Sequence, residues 1–132
     1  MEKGKKKRGL DFVEKIVALL MKNIHTDKPL FYWKKIKGYL KTLEEVDPSQ
    51  IPQLAKCISG YTSALLYNIE EGVSISKEYD LPLLVKTATL CASSNKGLRI
   101  AMSLLNIMKY YPDVQKAIMN FIVVLFGHTN PQ

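Results

Sequence analysis

The chain has 132 residues, 47% of them apolar, with two cysteines and a formal net charge of +7. That length is about one domain, with material for an ordinary core and too few cysteines for a disulfide-built secreted scaffold. The longest strongly apolar stretch, Phe121–Gly127, falls far short of the ~20 residues that a membrane-spanning helix needs.

The charge is uneven. Residues 1–46 hold 12 Lys/Arg against 6 Asp/Glu, whereas residues 47–132 hold 7 against 6. The basic character is therefore N-terminal, an asymmetry that points to a polyanion-facing or address-bearing end. A secretory leader is not expected, because Asp11, Glu14, Lys15 and Lys22 interrupt the apolar positions behind the charged start. With no Asn-x-Ser/Thr acceptor site either, we expect a nuclear or cytoplasmic protein.

Residues 1–9 are charged, glycine-flanked and without apolar residues beyond Met1, which predicts a disordered basic tail. A first helix is expected from about Leu10 to Ile24, with Val13, Ile16, Val17, Leu20 and Ile24 on its inner stripe and Asp11, Lys15 and Lys22 opposite. Thr26 and Asp27 ahead of Pro29 predict the cap and first turn of a second helix reaching about Leu43. Trp33, Ile36, Leu40 and Leu43 form its inner stripe, and Lys34, Lys37 and Lys41 share an outer one.

Asp47-Pro48 repeats that device for a third helix, carried by Ile51, Leu54, Ala55, Ile58, Leu65 and Ile69 to a C-cap at Gly72. Gly60 falls within it, where a close helix crossing or a kink is expected. Residues 73–79 read as a linker. Asp80 then caps a fourth helix, Leu81 to about Ala92, whose Pro82 is tolerated in the first turn.

The last two segments are less amphipathic. From Leu98 to Met108 the polar stripe is Arg99, Ser103 and Asn106; from Pro112 to Phe126 it is Asp113, Lys116 and Asn120. Residues 121–126 are apolar all round, which predicts burial on every side. Ile122-Val123-Val124 is strand-like locally, but no other segment offers a pairing strand, and a lone strand leaves its backbone unsatisfied. Gly127 is expected to end this helix, leaving 128–132 as a flexible end.

The expected fold is all-α: about six helices over 10–127, forming either a compact helical bundle or a short armadillo- or HEAT-like stack of helix pairs. The likeness to such arrays is architectural, since no internal repeat of that period is present.

Candidate sites are few. Lys3, Lys5, Lys6, Lys7 and Arg8 place five cations in six residues, suited to a nuclear address, to phosphate binding, or to a merely solvated tail. Phe31-Tyr32-Trp33-Lys34-Lys35 has the composition of a base-stacking platform, yet Trp33 shares the apolar stripe of Ile36 and Leu40, which predicts packing inward. Ser93–Gly97 with Arg99 sits ahead of a helix, where anions can bind, but reads first as a capped link without P-loop spacing.

Nothing points to an enzyme or to a cofactor or metal. His25 and His128 lack ligand-spaced neighbours, Cys57 and Cys91 read as small core residues, and Glu44-Glu45 and Glu70-Glu71 diverge by about 100° as adjacent residues on a helix. The leading expectation is a helical protein-interaction module, its partner another protein or a second copy. Its expected interface is the apolar C-terminal helix, through Phe121, Ile122, Val124, Leu125 and Phe126. A nucleic-acid binder is the second reading, gripping RNA or DNA through the basic N-terminal third, with Lys34, Lys37 and Lys41 on its face. A third, membrane-surface binding by the first helix, is weakened by Asp11 and Glu14.

Overall fold

The computed structural model describes the backbone of residues 2–43 and 45–129, and the side chains of 12–43 and 45–128. Six α-helices make up the described chain: α1 (Glu2–Ile24), α2 (Pro29–Thr42), α3 (Ile51–Glu70), α4 (Leu81–Thr89), α5 (Gly97–Tyr110) and α6 (Gln115–Thr129). No strand occurs among the described residues, in keeping with the expected all-α class. The backbone of α1 takes in the basic run 2–9; Lys and Arg are good helix formers. Side chains of that run, Lys3, Lys5, Lys6, Lys7 and Arg8, lie outside the described residues. At the other end α6 passes through Gly127 to Thr129, and 130–132 are likewise outside.

Packing follows a two-layer order. In one layer α1 lies against α3 and α3 against α5; in the other α2 lies against α4 and α4 against α6. The layers are tied at their ends by α1 against α2 and by α5 against α6. The α1/α2 and α5/α6 pairs thus close the two ends of the bundle. One continuous core runs between the layers, from Val13, Ile16 and Leu20 through Trp33, Ile36, Leu54 and Ile58 to Leu84, Ile100, Leu104, Ile118 and Phe121.

The termini of these helices show why they start and stop where they do. Asp47 Oδ1 accepts from Ser49 N at 2.9 Å, but the turn it caps is a short 3-10 helix, Pro48–Gln50, that feeds α3. Asp80 Oδ1 caps α4 by accepting from Leu83 N at 3.1 Å. Past α3, Gly72 N donates to Ile69 O and Val73 N to Asn68 O, closing the helix with Gly72 at φ +93°, a conformation that favours glycine. The expected cap of α2 is not made: Thr26 Oγ1 accepts from Lys28 N at 3.0 Å, and Lys28 holds the cap position without a side-chain bond.

Three sets of contacts hold the elements together. Asn23 Nδ2 donates to Pro29 O at 2.8 Å, and its Oδ1 accepts from Tyr61 Oη at 3.2 Å, joining α1, α2 and α3 at one point. Trp33 lies between Tyr61 and Tyr79, ring centroids 6.2 and 5.3 Å away, and is 1% exposed. Ile75 N donates to Tyr111 Oη at 2.8 Å, so the long α3–α4 connection is anchored to the far end of α5.

Candidate interaction surfaces

The exposed surface of α5 and α6 is where the structure departs most from the sequence pattern. Phe121 and Leu125 are core residues, 0% and 3% exposed, and Ile122 and Val124 are half-buried. Of the five residues expected at an interface, only Phe126 is largely exposed, at 61%. Val123, at 67%, joins it. A helix apolar on every side is here buried on one side only. Met119, Val123 and Phe126 recur at i, i+4 and i+7, so they form one exposed strip, with the half-buried Ile122 between it and the core.

A matching strip lies on α5. Ser103 Oγ stands 3.4 Å from Ser63 Oγ, which marks the α3-facing edge of the buried arc of α5. Ser103 is therefore inside, not on the wet stripe with Arg99 and Asn106, because a small hydroxyl suits a close helix contact. Round the helix, Leu104 and Gly97 meet the core, and Leu98 and Leu105 follow on the side turned away from α3. Leu98 is 65% exposed. An added Cβ on Gly97 would stand 2.8 Å from Leu125 Cδ1, so the start of α5 packs closely on the later turns of α6. With α5 and α6 joined by the single residue Tyr111 and a short 3-10 turn, both strips belong to the outer surface of this last helix pair.

The first helix pair ends the stack differently. Between α1 and α2 runs a groove of about 710 Å³ lined by Phe12, Ala18, Leu19, Gly38 and Tyr39, with Lys15 and Lys35 on its walls. Lys34, Lys37 and Lys41 occupy the other flank of α2. Lys37 Nζ lies 3.9 Å from Asp80 Oδ2 at the head of α4, while Lys34 and Lys41 are exposed. Lys34, Lys37 and Lys41 do not line the groove that Lys15 and Lys35 line.

Elsewhere, expected sites dissolve into structure. Trp33 is core, as its register predicts. The Ser93–Gly97 link spends its polar groups on itself: Ser94 Oγ accepts from Lys96 N at 3.2 Å, and Gly97 N donates to Ser94 O at 3.1 Å. Gly60 makes no close crossing, since an added Cβ would meet nothing within 4 Å. Cys91 is buried, and the half-buried Cys57 donates to Val17 O at 3.6 Å. Burial pushes both thiols up from the ordinary value of 9.0, Cys57 to about 11 and Cys91 to about 12. They are poor nucleophiles near neutrality. Burial also raises the Tyr61 and Tyr79 hydroxyls, with Asn23 partly offsetting the shift at Tyr79 by hydrogen bonding.

Among the described residues no cluster of three or more His, Cys, Asp or Glu could hold a metal, and no helix is long and apolar enough to cross a membrane. No protein-family model, curated protein or solved structure matches the chain significantly.

Proposed function

We propose that this chain is a non-enzymatic protein-interaction module, an adaptor or scaffold piece that docks a partner protein on the free side of α5 and α6. One observation carries this reading: Leu98, Leu105, Met119, Val123 and Phe126 are all exposed on the last two helices. Five such side chains present on the order of 500–600 Å² of apolar surface, the upper end for the largest patch on a monomer. Terminal pairs of helical arrays ordinarily carry a polar outer face. Exposed Lys109, Lys116 and Asn120 give the patch a polar rim, the usual anatomy of an interface.

The test compares the native protein with a Val123→Glu/Phe126→Glu variant. Both positions are largely exposed, so the variant keeps the fold. Affinity capture followed by light scattering of the purified complex should show a partner, or a second copy, that the variant loses. The same companion retained by the variant would sink the reading.

The second reading, polyanion binding by the basic N-terminal third in the nucleus, is favoured by Lys34 and Lys41 lying exposed on one flank of α2. Replacing Lys34, Lys37 and Lys41 by Glu should then abolish a salt-sensitive complex with RNA and leave the α5/α6 companion bound.

A further inference from the structure

We infer that the groove between α1 and α2 is a second docking site, and that its occupant is an acidic amphipathic helix of a partner protein. The inference is independent of the α5/α6 reading.

The groove has an apolar floor and cationic walls. Phe12 of α1 and Tyr39 of α2 meet across the groove, ring centroids 5.6 Å apart, and with the half-buried Leu19 they make its apolar floor. The exposed Ala18 and Gly38 stand on its rims, where small side chains admit the approach of another backbone. An added Cβ on Gly38 would meet nothing within 4 Å, so the space above it is open. From Phe12 to Leu19 the floor runs about 10 Å, two turns of helix, a length matched by anchors at i, i+3/i+4 and i+7 on a docked helix.

Charge selects the occupant. Among the described residues no carboxylate lines the groove. Lys15 Nζ is held 5.5 Å from the Tyr39 centroid and Lys35 Nζ 4.6 Å from that of Phe31, and neither has a carboxylate partner among the described residues. Resting on rings leaves both ammonium groups able to donate to incoming carboxylates. A helix with an apolar stripe flanked by Glu or Asp complements floor and walls together. A nucleic-acid strand fits less well. Two cations neutralise few phosphates, and Tyr39, already packed against Phe12 and Lys15, offers no free face for base stacking.

The experiment uses the full chain and three fluorescent probes: a helix-forming peptide with Leu at i, i+3, i+4 and i+7 flanked by Glu, the same peptide with Lys for Glu, and oligouridine RNA. The Glu peptide should bind saturably and shift the amide resonances of Phe12, Lys15, Leu19, Lys35 and Tyr39. Gly38→Leu fills the groove at a position with room for a side chain, so the melting temperature should hold or rise while peptide affinity falls at least about tenfold, the effect of removing one well-packed anchor. Lys15→Gln/Lys35→Gln should weaken binding by about three- to tenfold and flatten its salt dependence. Val123→Glu should change nothing, which separates this site from the α5/α6 face.

Failure of the Glu peptide to bind at millimolar concentration overturns the proposal. So does equal binding by folded Gly38→Leu, or equal binding of the Lys peptide. Oligouridine binding that is lost in Gly38→Leu would hand the groove to nucleic acid and overturn it as well.

Discussion

The two ends of the stack are each a pair of packed helices, but their outer surfaces differ in kind. The α1/α2 end is a groove: small residues on its rims, an aromatic pair meeting across it, and lysines resting on rings. The α5/α6 end is a ridge of Leu, Met, Val and Phe with polar groups only at its border. Between them the same core continues without a break. The difference lies in what each helix keeps opposite its buried arc. For α1 that is Glu14, Ala18 and Met21; for α6 it is Met119, Val123 and Phe126 together. Identical packing rules thus finish one end for charge-selected contact and the other for plain apolar contact.

The largest expected effects ask whether the two ends share one cooperative unit. Trp33→Ala at the first pair and Phe121→Ala at the third each empty a fully buried aromatic site, at a cost of about 3–5 kcal/mol. If the core is continuous, urea unfolding followed by circular dichroism should show a single transition displaced by either change. Two transitions, each moved by only one substitution, would break the stack into independent halves.

A smaller contrast uses glycine. Gly97→Ala should lose about 1–3 kcal/mol from overpacking, because its Cβ would stand 2.8 Å from both Ala92 O and Leu125 Cδ1. Gly38→Ala at the other end should gain about 0.5–1 kcal/mol, by removing glycine's chain entropy in an open helix position. Equal shifts in melting temperature would mean that the ends are not built as differently as described.

The smallest effect is alkaline. Both thiols have folded values above their unfolded ones, so their contribution is fully present below pH 9 and is lost as pH rises towards about 11 for Cys57 and about 12 for Cys91. Tyr61 and Tyr79 act in the same direction. Stability measured by urea midpoint should therefore decline above pH 9, and less so in Cys57→Ala. Iodoacetamide should reach Cys57 before Cys91, since the former is half-buried and the latter enclosed. The reverse order would contradict the packing at the end of α4.

Much of this architecture was legible in the residues. The stripes of Val13, Ile16, Val17 and Leu20, and of Trp33, Ile36 and Leu40, are buried as their spacing requires. Asp80 and Gly72 end their helices as their chemistry predicts. What failed has one cause. Periodicity says which residues share a side of a helix, but not whether another helix lies there. Residues 121–126 are apolar on all sides, so spacing could not separate the core residues Phe121 and Leu125 from the exposed Val123 and Phe126. Ser103 looked solvated because it is polar, yet its size suits the α3 contact. Asn23 carried a usable signal: it falls three residues after Leu20 on the inner side, where a polar residue needs bonding partners. The α1/α2 groove had no such signal, since Ala18 and Gly38 are unremarkable until two helices lie side by side.

The placement of the lone indole has an optical consequence. The chain has one tryptophan and seven tyrosines, and two of those tyrosines flank the indole. Light absorbed by Tyr61 or Tyr79 passes to Trp33, whose dry surroundings set the colour of emission. The protein therefore reports by fluorescence on the integrity of its first helix pair and is nearly dark to events at its third. A companion settling on α5 and α6 would leave the spectrum unchanged, and a loosened α2 would redden it at once.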